Sequence, residues 1–135
     1  MSVQLSTSVR NARLDQIEST IGTAAILKIV TGAPPADCAT SDAGTVLATL
    51  NLPSDWMAAA SGGSKAKSGT WQDTDADASG TAGHFRICDS GGTTCHLQGT
   101  VTSTGGGGDM TLDNTSINIH QSFTINSFTL TDGNA

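Results

Sequence analysis

The chain of 135 residues contains no tyrosine, and its two tryptophans and three phenylalanines bring aromatics to only 4%. So few rings leave no row of platforms on which nucleic-acid bases could stack. Charge is scarce too, at 13% of residues, with 6 Lys plus Arg against 12 Asp plus Glu and a net charge of -6. Such a chain lacks the basic face that displaces counterions from nucleic acid, so no nucleic-acid partner is expected. Glu18 is the sole glutamate. With long polar helix formers this rare, the composition disfavours a helical bundle or coiled coil. No stretch approaches the roughly 18 consecutive apolar residues of a membrane span, and no membrane partner is expected. Residues Met1 to Arg10 are polar and lack the apolar centre of a secretion signal, which predicts synthesis and assembly in the cytoplasm. On that expectation the three cysteines are reduced thiols, and the sequon Asn114-Thr115-Ser116 has no role.

What is abundant is Thr (20), Ala (16), Gly (16) and Ser (15), text that favours strands and turns. The length fits one domain. One helix is predicted over Val9 to Ile21, with Leu14, Ile17 and Ile21 as a narrow apolar stripe, Ser8 as its cap and Gly22 at its end. A stripe this narrow must dock on its own domain or on a neighbouring subunit. Ser2 to Thr7 reads as a mobile arm ahead of it. From Ala25 the pattern becomes period two. Strands are expected over Ala25–Thr31, Thr45–Leu52, Thr70–Trp71 (with Lys65 and Lys67 on the wet side), Thr81–Cys88, Thr94–Thr102, Met110–Leu112 and Ile117–Ile119, and again from Phe123. The last one shifts phase between Ile125 and Phe128, which predicts a bulge near Asn126-Ser127. About seven or eight short strands with turn signals between them predict a mainly β chain, an antiparallel β-sandwich or jelly roll carrying one N-terminal helix. The expected organisation is an arm and helix over 1–22 and a β-sandwich over 23–135.

Few residues carry chemistry. Asp73, Asp75 and Asp77 are spaced like the start of a calcium loop, but the positions that need Gly and Glu hold Ala78 and His84. A solvated acidic loop is the expectation, with a weak cation site as the alternative. His84, His96 and Cys88 are predicted on one sheet face. Without reinforcing spacing they read as exposed polar residues rather than a zinc site. His120 is expected alone in a turn. A three-residue loop Ser90-Gly91-Gly92 would pair Ile87 with Cys95 and Arg86 with His96, leaving Cys88 and Cys95 on opposite faces; a four-residue loop would bring them opposite each other but mix the faces. Gly105 to Gly108 lacks the Lys-Ser or Lys-Thr of a phosphate loop and reads as an adaptable link. No nucleophile elbow is present. An enzyme is not expected, and no cofactor or metal is assigned. Trp56 and Trp71 are anchors either of the core or of a subunit contact; Trp71 leans to core and Trp56 to either.

Four stretches together resemble small virion structural proteins of tailed bacteriophages: Ser8-Val9-Arg10-Asn11-Ala12-Arg13-Leu14-Asp15, Lys28-Ile29-Val30-Thr31-Gly32-Ala33-Pro34-Pro35, Gly80-Thr81-Ala82-Gly83-His84-Phe85-Arg86-Ile87 and Phe123-Thr124-Ile125-Asn126-Ser127-Phe128-Thr129-Leu130-Thr131. The resemblance spans nearly the whole chain and implies a particle component of the capsid cement or decoration type. It implies assembly in the host cytoplasm, a place on the capsid surface of the virion, the major capsid protein as partner, and a homo-dimer or homo-trimer. Such proteins carry no catalytic residues. The residues expected to touch a partner are Val9, Arg10, Arg13, Leu14, Ile17 and Trp56. The alternative is a receptor- or glycan-binding module of a tail or fibre. A hydrolytic or metal enzyme using His84, His96 and Asp residues is the third reading.

Overall fold

The computed structural model describes residues 3–133. Met1 and Ser2, the first residue of the expected arm, lie outside them. The chain is mainly β with one helix, in the order α1 (Thr7–Ile21), β1 (Ile26–Thr31), β2 (Val46–Asn51), β3 (Ser64–Ala66), β4 (Trp71–Asp73), β5 (Gly80–Cys88), β6 (Cys95–Ser103), β7 (Met110–Leu112), β8 (Ser116–Ile117), β9 (Phe123–Ile125) and β10 (Thr129–Thr131). The main sheet has the order β2-β1-β5-β6-β7, with β8 added to the start of β5; β3 with β10 and β4 with β9 form two small ribbons. The sheet is mixed rather than purely antiparallel, since β6 and β7 run parallel with Val101 opposite Met110.

That parallel pair has a short connection where parallel neighbours ordinarily need a long crossover. The glycine run makes it feasible. Gly105 and Gly107 take positive φ of 89° and 83°, and a Cβ on Gly106 or Gly108 would strike the Thr102 side chain at 2.7 and 2.8 Å. The run is therefore a specific turn, not the adaptable link expected.

Alternation in β1 and β5 sets one face as core. Leu27 lies opposite Ile87 and Ile29 opposite Phe85, while Leu50 and Ala48 of β2 extend the same face. The ribbons close over it. Trp56, Trp71, Phe128 and Phe85 form a row of rings with successive centroids 6.0, 5.8 and 5.4 Å apart, tying the ribbons to the sheet. Each such contact adds about 0.5–1.5 kcal/mol beyond the area it buries. Phe128 explains the phase shift near the C-terminus. No bulge occurs there; the chain leaves β4 as partner after Ile125 and takes up β3 from Thr129.

Ser6, not Ser8, caps α1, its Oγ accepting from the Val9 N–H at 3.2 Å, so the helix starts two residues earlier than the pattern suggests. It ends as expected at Gly22, with φ 95° and its N–H bonded to the Glu18 carbonyl. The helix docks on its own domain. Leu14 and Ile21 are buried, Asn11 Oδ1 accepts from the Gly63 N–H at 2.9 Å, and Asp15 Oδ1 accepts from Ala60 N–H and from Lys65 Nζ at 2.7 Å. Lys65, expected on the wet side, is only 2% exposed and also donates to the Ala58 carbonyl. A buried ammonium needs these partners, because unpaired charge in a protein interior is costly.

Candidate functional site

The residues expected to touch a partner divide into two groups. Leu14 is buried, Ile17 is partly buried against the core, and Trp56 is 0% exposed with its Nε1 donating to the Gly22 carbonyl at 2.9 Å. Trp56 is thus a core anchor and has no surface to offer. The other group faces outward. Val9 is 45% exposed, and the Arg13 side chain, ion-paired to Asp132 at 3.2 Å, is 60% exposed. Arg10 is half-buried and spans from the Thr7 hydroxyl to the Asp132 carbonyl. Two shallow clefts flank the helix, of about 210 and 330 Å³, and Arg13 and Ile17 line both. The outer helix face is therefore a largely polar surface, with Val9 and Ala12 beside Arg13 and the hydroxyl and amide side chains of Ser8, Gln16, Ser19 and Thr20, on a helix whose inner face is already fixed.

The opposite face of the main sheet carries a feature that residue patterns did not expose. Lys28 lies opposite Arg86, and Arg86 opposite Gln98. The 14 residues between β1 and β2, residues 32–45, fold across them. Gln98 Nε2 donates to the Pro35 carbonyl at 2.7 Å, and His84 Nδ1 to the Gly32 carbonyl at 2.9 Å. Arg86 donates through Nη2 to the Cys38 and Thr40 carbonyls, both at 2.9 Å, and through Nη1 to Asp42 at 2.5 Å. The other Asp42 oxygen accepts from Lys28 Nζ at 2.7 Å. The Lys28 hydrogen bond, then the Lys28 and Arg86 charges, hold the Asp42 carboxyl below its ordinary range. Burial works against the Arg86 charge. The Asp42 carboxylate beside it works the other way, and the guanidinium stays above its ordinary value. His84 and Arg86 are thus 0% and 1% exposed, and Cys88 is 0% exposed, so His84 and Cys88 are not the exposed polar residues expected. One signal was available, since an irregular loop this long in a small domain usually has something to cover.

At one end of this face lie the three cysteines, all free thiols. Cys88 and Cys95 are direct partners across β5 and β6, because the register slips by one between Ile87 and Cys88. The Asp89 N–H bonds to the Thr94 carbonyl, so the hairpin loop is the four-residue one. His96 is the extra residue of the resulting bulge, and it absorbs the phase so that Leu97 still faces Ile87. This corrects the expected register, in which the two thiols faced apart. It also separates the histidines, for His96 lies beside α1 while His84 is buried beneath residues 32–45. Cys38 and Cys95 line a common cleft of about 680 Å³ with Lys28, Asp42 and Arg86. Burial, then a hydrogen bond with Cys95, pushes the Cys38 thiol up to about 11, and burial likewise raises Cys88.

The acidic loop has an edge-capping geometry. Asp73 Oδ2 accepts from the Thr49 N–H at 2.9 Å, Asp77 Oδ2 from the Thr49 hydroxyl at 2.7 Å, and the Leu47 carbonyl from the Asp77 N–H at 2.7 Å. Asp75 turns outward to His120 Nδ1 at 2.7 Å, in a turn where His120 has φ 67°. The carboxylates diverge, and among the described residues no three metal-ligating side chains come together. The loop covers the outer edge of β2, so that strand cannot accept a strand from a neighbour.

No known protein-family model, curated protein or solved structure matches the chain.

Proposed function

We propose that the chain is a structural component of a tailed-bacteriophage particle, a capsid cement protein that stabilises the head by bridging neighbouring major capsid subunits. The observation that carries this reading is the outer face of α1. Val9 and Arg13 stand exposed on a helix whose inner side is spent on Leu14, Ile21 and the Lys65 ion pair. That face belongs to a helix already docked on its own domain, which lowers the ordering cost of binding. Repetition over a shell lets contacts of modest strength suffice. In the same reading the two ribbons serve as the second layer of a sandwich or jelly-roll arrangement, and the protein acts as a homo-dimer or homo-trimer on the capsid surface. The virion-protein resemblance of four stretches adds to this.

The tail or fibre glycan-binding alternative is less favoured on a specific observation. Trp56, Trp71, Phe85, Phe123 and Phe128 are all buried, so no tryptophan or phenylalanine ring is available to stack on a sugar.

The test is titration of the purified protein onto capsids that lack it, comparing wild type with a Val9→Glu, Arg13→Glu double variant. Occupancy of the variant at matched concentration should fall about tenfold, which corresponds to about 1.4 kcal/mol per site. Unchanged occupancy by a folded variant would contradict the proposal.

A further inference from the structure

The three-cysteine corner has a geometry that neither the fold nor the capsid reading uses. Cys38 sits in the loop over the sheet, fixed there because its own carbonyl accepts from Arg86 at 2.9 Å. Cys95 opens β6, directly opposite Cys88. Cys38 and Cys95 share the walls of one cleft with Arg86, whereas Cys88 is fully buried and takes no part in lining it. An oxidant entering the cleft meets the first two thiols and not the third.

We propose that Cys38 and Cys95 are an oxidisable dithiol site, at which a peroxide or a small-molecule disulfide closes a covalent bridge between residues 32–45 and the start of β6. The inference is independent of the capsid reading.

The order of events follows from the surroundings. The Arg86 guanidinium lines the same cleft as Cys38 and Cys95, and its Nε has no hydrogen-bond partner. Cys38 is held as a thiol by burial and by Cys95 itself. With Cys38 held as the thiol, Cys95 attacks and Cys38 resolves. With hydrogen peroxide, Cys95 attacks one oxygen and the O–O bond breaks, leaving a sulfenic acid and one water. Cys38 sulfur then attacks Cys95 sulfur. The S–O bond breaks, and the Cys38 proton leaves with the departing hydroxide as a second water. Two thiols lose two electrons and one peroxide gains them. With oxidised glutathione, Cys95 releases one glutathione in forming a mixed disulfide, and Cys38 releases the second.

The experiment treats the reduced full chain with hydrogen peroxide or oxidised glutathione, blocks remaining thiols, and maps peptides without reduction. The expected product is an intramolecular Cys38–Cys95 link with Cys88 alkylated. The link closes a long loop and should raise the thermal midpoint by about 10 °C, reversibly with dithiothreitol. Cys88→Ser should keep the shift and Cys38→Ser should lose it. Mapping of the wild-type chain stands without either variant. A Cys88–Cys95 link, an intermolecular link, or three thiols still free after the oxidant is consumed would overturn the proposal.

Discussion

Replacing Asp42 by alanine isolates what holds residues 32–45 to the sheet. The substitution removes the carboxylate shared by Lys28 and Arg86, leaving a guanidinium 1% exposed with only the Cys38 and Thr40 carbonyls. Breaking a fully buried pair from one side costs about 3–5 kcal/mol. Asp42 keeps 41% of its side chain exposed, so solvent weakens the pair, and two neutral acceptors remain. A loss of about 2 kcal/mol at pH 7 follows. Arg86→Met should cost less, about 1 kcal/mol, because it deletes the buried charge and leaves Asp42 paired with Lys28. The sign with pH is fixed by the direction of the Asp42 shift. Its folded pKa lies below the ordinary 3.8, so its contribution is complete above that value and disappears as pH falls through the lower folded value. Urea unfolding followed by fluorescence of Trp56 and Trp71 measures the gap. Amide exchange should quicken in residues 32–45 before β5. Equal urea midpoints at pH 7, or a gap that persists undiminished at the acid end, would refute the reasoning.

Two further substitutions test local geometry. A Cβ at Gly83 would meet the Gly32 backbone nitrogen at 2.7 Å and its carbonyl oxygen closer still, so Gly83→Ala should cost about 2–3 kcal/mol in urea unfolding. Val9 is three residues after the Ser6 cap in a first turn that has no acid, so Val9→Glu completes a capping box and should add about 0.5 kcal/mol of stability. Loss of capsid occupancy by that variant could not then be ascribed to unfolding.

The regular parts of the fold were legible because period-two text needs no long-range information. Leu27 and Ile29, then Phe85 and Ile87, identify a core face on their own, and Leu14, Ile17 and Ile21 with Gly22 identify the helix. What failed to show was every feature in which the chain departs from its own period. The bulge at His96 costs one residue of phase, and its absence from the reading reversed the facing of Cys88 and Cys95. At Phe128 a slip that looked like a bulge is a change of partner strand. Burial of Lys65, His84 and Arg86 was invisible because it depends on what covers them. The cover is α1 for Lys65 and residues 32–45 for the other two. The exposure of the expected contact residues was half legible. Val9 and Arg13 are outward as the helical pattern requires, whereas Trp56 had two readings that only its surroundings could separate.

The most direct test of the capsid proposal is the copy number of the chain in purified virions, by quantitative mass spectrometry against the major capsid protein. A cement protein repeated over the shell predicts copies on the order of hundreds per particle, since its avidity comes from repetition. A handful of copies, as for a tail or neck component, or absence from the virion, would contradict the account.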